Sequence, residues 1–206
     1  NPLSRQQIRD EIITFFLAGH ETTALALSWT WYLLSQHPQV EKQLHEELQT
    51  GLGGAAPSYQ SLNSLTYCDK VIQEAMRLYP PAYVLGREPI QPYQLRGFTL
   101  PPGSTIFICQ WVVHRDPRFF TNPEAFEPER WTNTFTKNLP EFAYFPFGGG
   151  PRYCIGKYFA MIEAKLLLAT IAQRYRLDLV PGHPVVPLTS VTLRPKHGMK
   201  MVVRKR

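Results

Sequence analysis

One long apolar stretch limits most strongly what this chain can fold into. Between residues 12 and 36 the only formal charge is Glu21. The capping-box pair Ser4 and Gln7 precedes the stretch and Pro38 follows it, so the pattern predicts one continuous helix that ends before Pro38. Its length also fits a membrane span. Because an ionised carboxylate is costly in lipid, we favour a helix that runs through a protein core.

The remaining pattern mixes helices with short strands. Helical spacing and helix-breaking residues predict a second helix from Pro38 to about Gly51. They also predict a third helix, which Thr66 and Asp69 cap and which ends before Pro80, and a strong helix after Gly156. Alternation and turn residues predict strands at 85–88, 94–99 and 105–113, an irregular segment over 114–153, and two or three strands in hairpins after Tyr175. The predicted fold class is α+β, mostly α.

Charge and cysteine content exclude some functions. The net charge is +6, from 22 basic and 16 acidic residues. Six basic side chains lie near the C-terminal end and alternate with apolar residues, as on the solvent face of a strand: Arg194, Lys196, Lys200, Arg204, Lys205 and Arg206. This pattern does not form a basic patch for nucleic acid, so we predict no nucleic-acid partner. Cys68, Cys109 and Cys154 are too few and too far apart for a disulfide framework. This favours a reducing, cytoplasmic location. A membrane anchor in a segment N-terminal to this chain stays an open alternative.

The segment from Phe147 to Gly156, with the sequence FGGGPRYCIG, carries the strongest chemical signal. Its Cys154 precedes a predicted helix, where the positive helix end favours a thiolate. The glycines let the backbone pass close to a flat ligand, and Arg152 suits a ligand that bears carboxylates. A glycine-rich turn with a structural cysteine is the alternative, but five fixed positions make a chance match rare.

This segment resembles the F-x-x-G-x-R-x-C-x-G loop of the cytochrome P450 family of haem-thiolate monooxygenases. The resemblance implies haem b as cofactor, with Cys154 as the axial ligand of its iron and O₂ as co-substrate. It also implies that Phe147, Gly148 and Gly156 contact the haem, and that Arg152 pairs with a propionate.

Two further elements resemble the same family. Glu74 and Arg77 match its E-x-x-R motif, and the segment 128–131 (PERW) resembles its P-E-R-F element with Trp131 in place of Phe. The resemblance implies a structural ion network beneath the haem. It also places Arg87 at the position of a propionate-binding arginine, and it gives His114 either a second propionate contact or a surface turn.

The centre of the long helix, residues 18–23 (AGHETT), matches the family motif [AG]-G-x-[DE]-T-[TS]. The resemblance implies that Thr22 donates a proton during O₂ activation and that Glu21 links it to bulk solvent. The Thr22 hydroxyl can also bond back to the Ala18 carbonyl. The alternative is that residues 20–23 are a polar patch that a buried helix tolerates and that has no catalytic role. A zinc-protease H-E-x-x-H motif fails, because Ala24 takes the place of its second histidine.

Substrate and electron donor follow only from the resemblance. Six residues lie in segments that correspond to substrate-facing parts of relatives: Phe15, Ala18, Gly19, Tyr83, Val84 and Ser190. Their character predicts a lipid- or terpenoid-like substrate, although core packing would select similar residues. Arg152 and Lys157 flank Cys154, which favours an acidic ferredoxin or a flavodoxin-like reductase as electron donor.

The four motifs occur in family order over all 206 residues but match only the C-terminal half of a member. We therefore expect residues 1–206 to form the C-terminal portion of a single domain that is inactive in isolation. Two alternatives stay open. One is an isomerase or dehydratase without O₂ activation, which the Glu21–Thr22 pair argues against. The other is a haem-binding protein without catalysis, which intact Thr22 and Arg77 argue against.

Overall fold

A computed structural model describes residues 2–206, so Asn1, the first residue of the predicted domain, lies outside the described residues. Within them, helices and strands follow in this order: α1 (Arg5–Gln36), α2 (Pro38–Leu52), α3 (Thr66–Leu78), β1 (Val84–Arg87), β2 (Tyr93–Leu95), β3 (Phe98–Leu100), β4 (Ile106–Cys109), α4 (Gln110–Val113), α5 (Asn133–Asn138), α6 (Lys157–Ala172), β5 (Tyr175–Leu179), β6 (Pro187–Thr189), β7 (Leu193–Pro195) and β8 (Met201–Lys205). The strands form antiparallel pairs β1–β4, β2–β3, β5–β8 and β6–β7. The predicted fold class, α+β and mostly α, is confirmed.

The long helix α1 begins and ends where its flanking residues predict. Ser4 Oγ accepts from Gln7 N (3.2 Å) and Gln7 Oε1 accepts from Ser4 N (2.8 Å), so the capping box is present. Pro38 then opens α2. The first half of α1 is exposed and its second half is buried. Over residues 2–206, no helix combines the length and the apolar character that crossing a membrane requires.

The core lies between the second half of α1 and the helices α2, α3 and α6. Its most deeply buried side chains include Leu34, Leu44, Leu48, Ile72 and Leu168. Burying a side chain of this kind contributes roughly 1.5–3 kcal/mol, so this packing fixes the helices relative to one another. The site described below lies against α1, α3 and α6, and the core therefore sets its geometry.

The N-terminus of α3 is capped by a different residue from the one predicted. Neither Thr66 nor Asp69 caps it. Glu47 of α2 does so instead, because its Oε1 accepts from Tyr67 N (2.5 Å) and its Oε2 accepts from Cys68 N (2.8 Å). These are first-turn N–H groups that have no partner inside the helix.

Other boundaries also differ from the predictions. The predicted strand 94–99 is a hairpin, because Arg96 (φ 46°) and Gly97 (φ 88°) form a two-residue turn between β2 and β3. The strand predicted over 105–113 stops at Cys109, where α4 begins, and the tail holds four strands. Helix α2 passes Gly51 and ends at Leu52, and the next residue, Gly53, has a φ of 56° that suits a left-handed cap.

Candidate functional site

A largely apolar cavity of about 760 Å³ brings two distant motifs together. Helix α1 contributes Ala18, Gly19 and Thr22 to its lining. The cysteine loop, which we define as residues 147–156, contributes Phe147, Gly148, Arg152, Cys154 and Gly156. The cavity therefore joins the predicted O₂-activating motif with the predicted axial thiolate.

The cysteine loop has a backbone that only glycine adopts readily. Gly148 (φ 73°) and Gly150 (φ 63°) lie in the left-handed region, and a Cβ at Gly149 would overlap the Phe142 ring. Cys154 N donates to the carbonyl of Phe147 (3.0 Å), which closes the loop. The Cys154 side chain is exposed and lines the cavity, and α6 begins three residues later.

Two arginines are available to carboxylate groups of a ligand. Arg152 lines the cavity. Arg87 lies on the same face of β1 as Leu85, which also lines it, and Arg87 Nη1 donates to the Gly86 carbonyl. Neither arginine forms an ion pair with any residue between 2 and 206.

His114 is not brought to the cavity. The prediction that it lies on a surface turn is wrong, because its side chain is fully buried. Its Nε2 accepts from Phe145 N at 2.9 Å, and the buried ring does not line the cavity that would hold a propionate. The structure thus gives this histidine a contact to the segment before the cysteine loop, which the sequence did not indicate.

Thr22 and Glu21 have different surroundings. Thr22 Oγ1 donates to the Ala18 carbonyl at 2.7 Å, as its spacing predicts. Glu21 does not line the cavity. Its Oε1 accepts from Thr192 Oγ1 (2.7 Å) and pairs with Arg194 Nη2 (2.7 Å). The sequence placed Arg194 on a solvent face, and nothing local in the sequence joins either residue to Glu21.

The residues predicted to contact substrate divide into two groups. Phe15, Ala18 and Gly19 line the cavity, and a Cβ at Gly19 would meet no atom within 4 Å. Tyr83, Val84 and Ser190 do not line it. The Tyr83 hydroxyl instead donates to the Ser190 carbonyl (2.9 Å), and Val84 lies on the face of β1 opposite to Leu85.

A buried ion network lies next to the site. The Glu74 carboxylate accepts from Arg77, from Arg130 and from the indole N–H of Trp131, each at 2.9 Å. Arg77 also donates to the carbonyls of three residues in the irregular segment: His114, Pro123 and Ala125. The tryptophan that replaces the usual phenylalanine therefore supplies a hydrogen bond that phenylalanine cannot make.

The exposed half of α1 carries an apolar face. Ile12, Phe15, Phe16 and Leu17 are each between 58% and 66% exposed. Neighbouring exposed apolar side chains of this kind are typical of an interaction surface or the edge of a ligand-binding groove, and Phe15 also lines the cavity.

Comparisons with known proteins agree with this geometry. The family model described as Cytochrome P450 matches residues 1–202. Cyclooctatin synthase from Streptomyces melanosporofaciens is 44% identical and covers 93% of this chain and 42% of its own length. Cyclooctat-9-en-7-ol 5-monooxygenase from the same organism is 42% identical, with coverages of 85% and 38%. A crystal structure of a cytochrome P450 (CYP102L1) matches with a TM-score of 0.90 at 29% identity and covers 100% of this chain and 47% of that chain.

The chain therefore belongs to the cytochrome P450 family, and it spans less than half the length of these relatives. The residues present fit the haem that the family implies. One cysteine sulfur reaches the cavity, glycines keep the adjoining backbone free of side chains, and two arginines without carboxylate partners lie on or next to the wall. An apolar lining suits the porphyrin ring.

Proposed function

We propose that this chain is the C-terminal part of a haem-thiolate monooxygenase domain that inserts one oxygen atom from O₂ into an apolar organic substrate. The observation that carries the proposal is a single cavity lined by both Cys154 and Thr22. A thiolate ligand for the iron and a hydroxyl proton donor near the bound O₂ are two groups that this chemistry uses.

Haem b would be held by Cys154 through its sulfur, by Phe147, Gly148 and Gly156 through backbone and ring contacts, and by Arg152 and Arg87 through its propionates. When bound, haem supplies the binding and reduction of O₂. Cys154 lies three residues before the N-terminal end of α6.

Thr22 and Glu21 are proposed to deliver protons. The Thr22 hydroxyl rotates about its C–O bond, so it can leave the Ala18 carbonyl and donate into the cavity. Glu21 is partly exposed, which lets it exchange protons with solvent. Thr192 and Arg194 hold its carboxylate on the hairpin β6–β7, and water would connect it to Thr22.

The apolar lining of the cavity supports a lipid- or terpenoid-like substrate. One relative is named for the oxidation of cyclooctat-9-en-7-ol, an unsaturated alcohol, and this supports the same class. Phe15, Ala18 and Gly19 would contact the substrate. We expect Tyr83, Val84 and Ser190 to shape the cavity indirectly.

The electron donor is proposed to dock at the cysteine loop beside Lys157. A second cavity of about 370 Å³ adjoins the loop, and Phe147 and Gly148 line both cavities. Lys157 borders the smaller one with its ammonium 5.5 Å from the Tyr153 ring centre. A positive charge at this position suits an acidic ferredoxin or a flavodoxin-like reductase.

The substitution Thr22→Ala tests the function in the haem-loaded, full-length protein. Substrate binding and electron uptake do not need the hydroxyl, so both should persist. Loss of one positioned proton donor lowers a catalysed step by about 100-fold, so electrons should be consumed while peroxide replaces product. Product and peroxide are measured per electron supplied.

Ser28→Ala is the matched control. Ser28 bonds back to the Ala24 carbonyl at 2.7 Å on the same helix, as Thr22 does to Ala18, but it does not line the cavity. It should keep the product yield of the unaltered protein. Full yield in Thr22→Ala would contradict the assigned role of this threonine.

A further inference from the structure

Two buried polar side chains, those of Gln110 and His114, have no role in the proposed function. Gln110 begins α4 and His114 follows its last residue, so the two lie one helical turn apart on the same face. Both side chains are fully buried. Polar groups are rarely buried to this degree unless they make hydrogen bonds that the structure needs.

Gln110 and His114 bracket one residue that precedes the cysteine loop. Phe145 N donates to His114 Nε2 at 2.9 Å, and Gln110 Nε2 donates to the carbonyl of Phe145. Phe145 is buried and belongs to no strand, so no neighbouring strand supplies partners for its backbone groups. The two side chains thus hold the backbone of Phe145 in place, as a neighbouring strand would in a sheet.

Short hydrogen bonds connect this bracket to the proposed iron ligand. The Phe145 carbonyl also accepts from Gly148 N (2.9 Å), and the Phe147 carbonyl accepts from Cys154 N (3.0 Å). On its other side, the His114 carbonyl accepts from Arg77 Nη1 (2.9 Å). The bracket therefore lies between the buried ion network and the cysteine loop.

The chemistry of the two side chains agrees with such a role. Burial lowers the pKa of the His114 imidazole to about 3, so the ring is neutral near pH 7 and Nε2 can accept a hydrogen bond. Gln110 Oε1 has no hydrogen-bond partner among residues 2–206. An unpaired polar atom is costly when buried, and the hydrogen bond from Gln110 Nε2 to the Phe145 carbonyl offsets that cost.

We infer that Gln110 and His114 are positioning residues that hold the cysteine loop so that the Cys154 sulfur faces the cavity. The inference rests on the proposed function, in which Cys154 binds the haem iron. In this inference His114 does not contact a propionate. It holds the backbone at Phe145, which leads into the cysteine loop.

The test uses three variants of the haem-loaded, full-length protein. His114→Phe removes the acceptor, whereas His114→Gln keeps an amide oxygen at a similar distance from the backbone. Gln110→Met keeps the length of the side chain and removes the donor. The readouts are the position of the Soret band of the reduced carbon monoxide complex and the rate at which haem passes to an apo-globin.

We expect His114→Phe and Gln110→Met to lose part of the red-shifted band of thiolate ligation. Haem release should accelerate about tenfold in both, the factor that corresponds to ~1.4 kcal/mol. His114→Gln should restore the band and slow haem release. If His114→Phe does not fold, Gln110→Met decides alone.

Trp29→Phe is the matched control for general destabilisation. It removes a buried hydrogen bond from the indole N–H to the Leu193 carbonyl (2.9 Å), far from the cysteine loop in sequence and outside the bracket. It should lower the unfolding temperature and leave the band and haem release normal.

Two results would overturn the inference. One is a normal band and normal haem release in both His114→Phe and Gln110→Met, and the other is an equal loss in Trp29→Phe. A Cys154→Ser variant separates this failure from failure of the proposed function. If that variant keeps the thiolate band, the ligand assignment is wrong, whereas the bracket alone is wrong if only Cys154→Ser loses it.

Discussion

Removal of the charge of Glu74 should be among the most destabilising single changes in this fold. Its carboxylate is fully buried and accepts hydrogen bonds from Arg77, Arg130, Trp131 and Glu127 N. Glu74→Gln leaves the equally buried Arg77 without a counter-charge. Breaking a buried ion pair in this way costs about 3–5 kcal/mol, because one charge stays in the interior uncompensated.

Trp131→Phe removes a single donor from the same carboxylate and keeps both ion pairs. The lost bond joins the indole N–H to Glu74 Oε2 at 2.9 Å. A hydrogen bond to a charged group contributes about 1.5–3 kcal/mol, so this variant should lose less stability than Glu74→Gln.

The assay is urea unfolding of the full-length protein, followed by far-UV circular dichroism. The free energies of unfolding are compared with one value of the dependence on urea concentration for all variants. Lys42→Ala is the control, because the Lys42–Glu46 pair on α2 is exposed and should contribute nothing measurable. The expected order of loss is Glu74→Gln, then Trp131→Phe, then Lys42→Ala. Losses in Glu74→Gln no larger than those in Lys42→Ala would refute the reasoning.

Two more predictions concern surfaces. The 206-residue chain alone should aggregate or hold haem weakly, because Ile12, Phe16 and Leu17 are exposed on α1; sedimentation and haem titration check this, and a monomer with stoichiometric, tightly held haem would speak against it. Electron transfer to the haem-loaded protein should slow as salt rises and should slow further in Lys157→Glu, because opposite charges steer the donor. Stopped-flow reduction at several ionic strengths measures this, and rates that change with neither salt nor the substitution would refute it.

Local signals predicted the helices well. The capping box of Ser4 and Gln7 and the proline at position 38 act within one turn, so the ends of α1 follow from neighbouring residues. The start of α3 does not, because its cap is Glu47 on another helix. The strand predicted over 105–113 ends at Cys109, where α4 begins, and Gln110 there donates to the buried Phe145 carbonyl, a partner that no local pattern reveals.

The site shows the same division. Cys154, Thr22 and Arg152 lie in segments that match family motifs, and all three line one cavity. The partners of Glu21 come from the tail of the chain, so no spacing rule finds Thr192 or Arg194. For His114 the family resemblance indicates either a propionate contact or a surface turn, whereas long-range packing buries its side chain.

The most direct test of the central claim is the spectrum of the reduced carbon monoxide complex in Cys154→Ser. The unaltered, haem-loaded protein should show the red-shifted Soret band of thiolate ligation. Cys154→Ser should lose it, while Cys68→Ser and Cys109→Ser should keep it, because neither of those cysteines lines the cavity. A thiolate spectrum that survives in Cys154→Ser would contradict the assignment of this residue as the haem ligand.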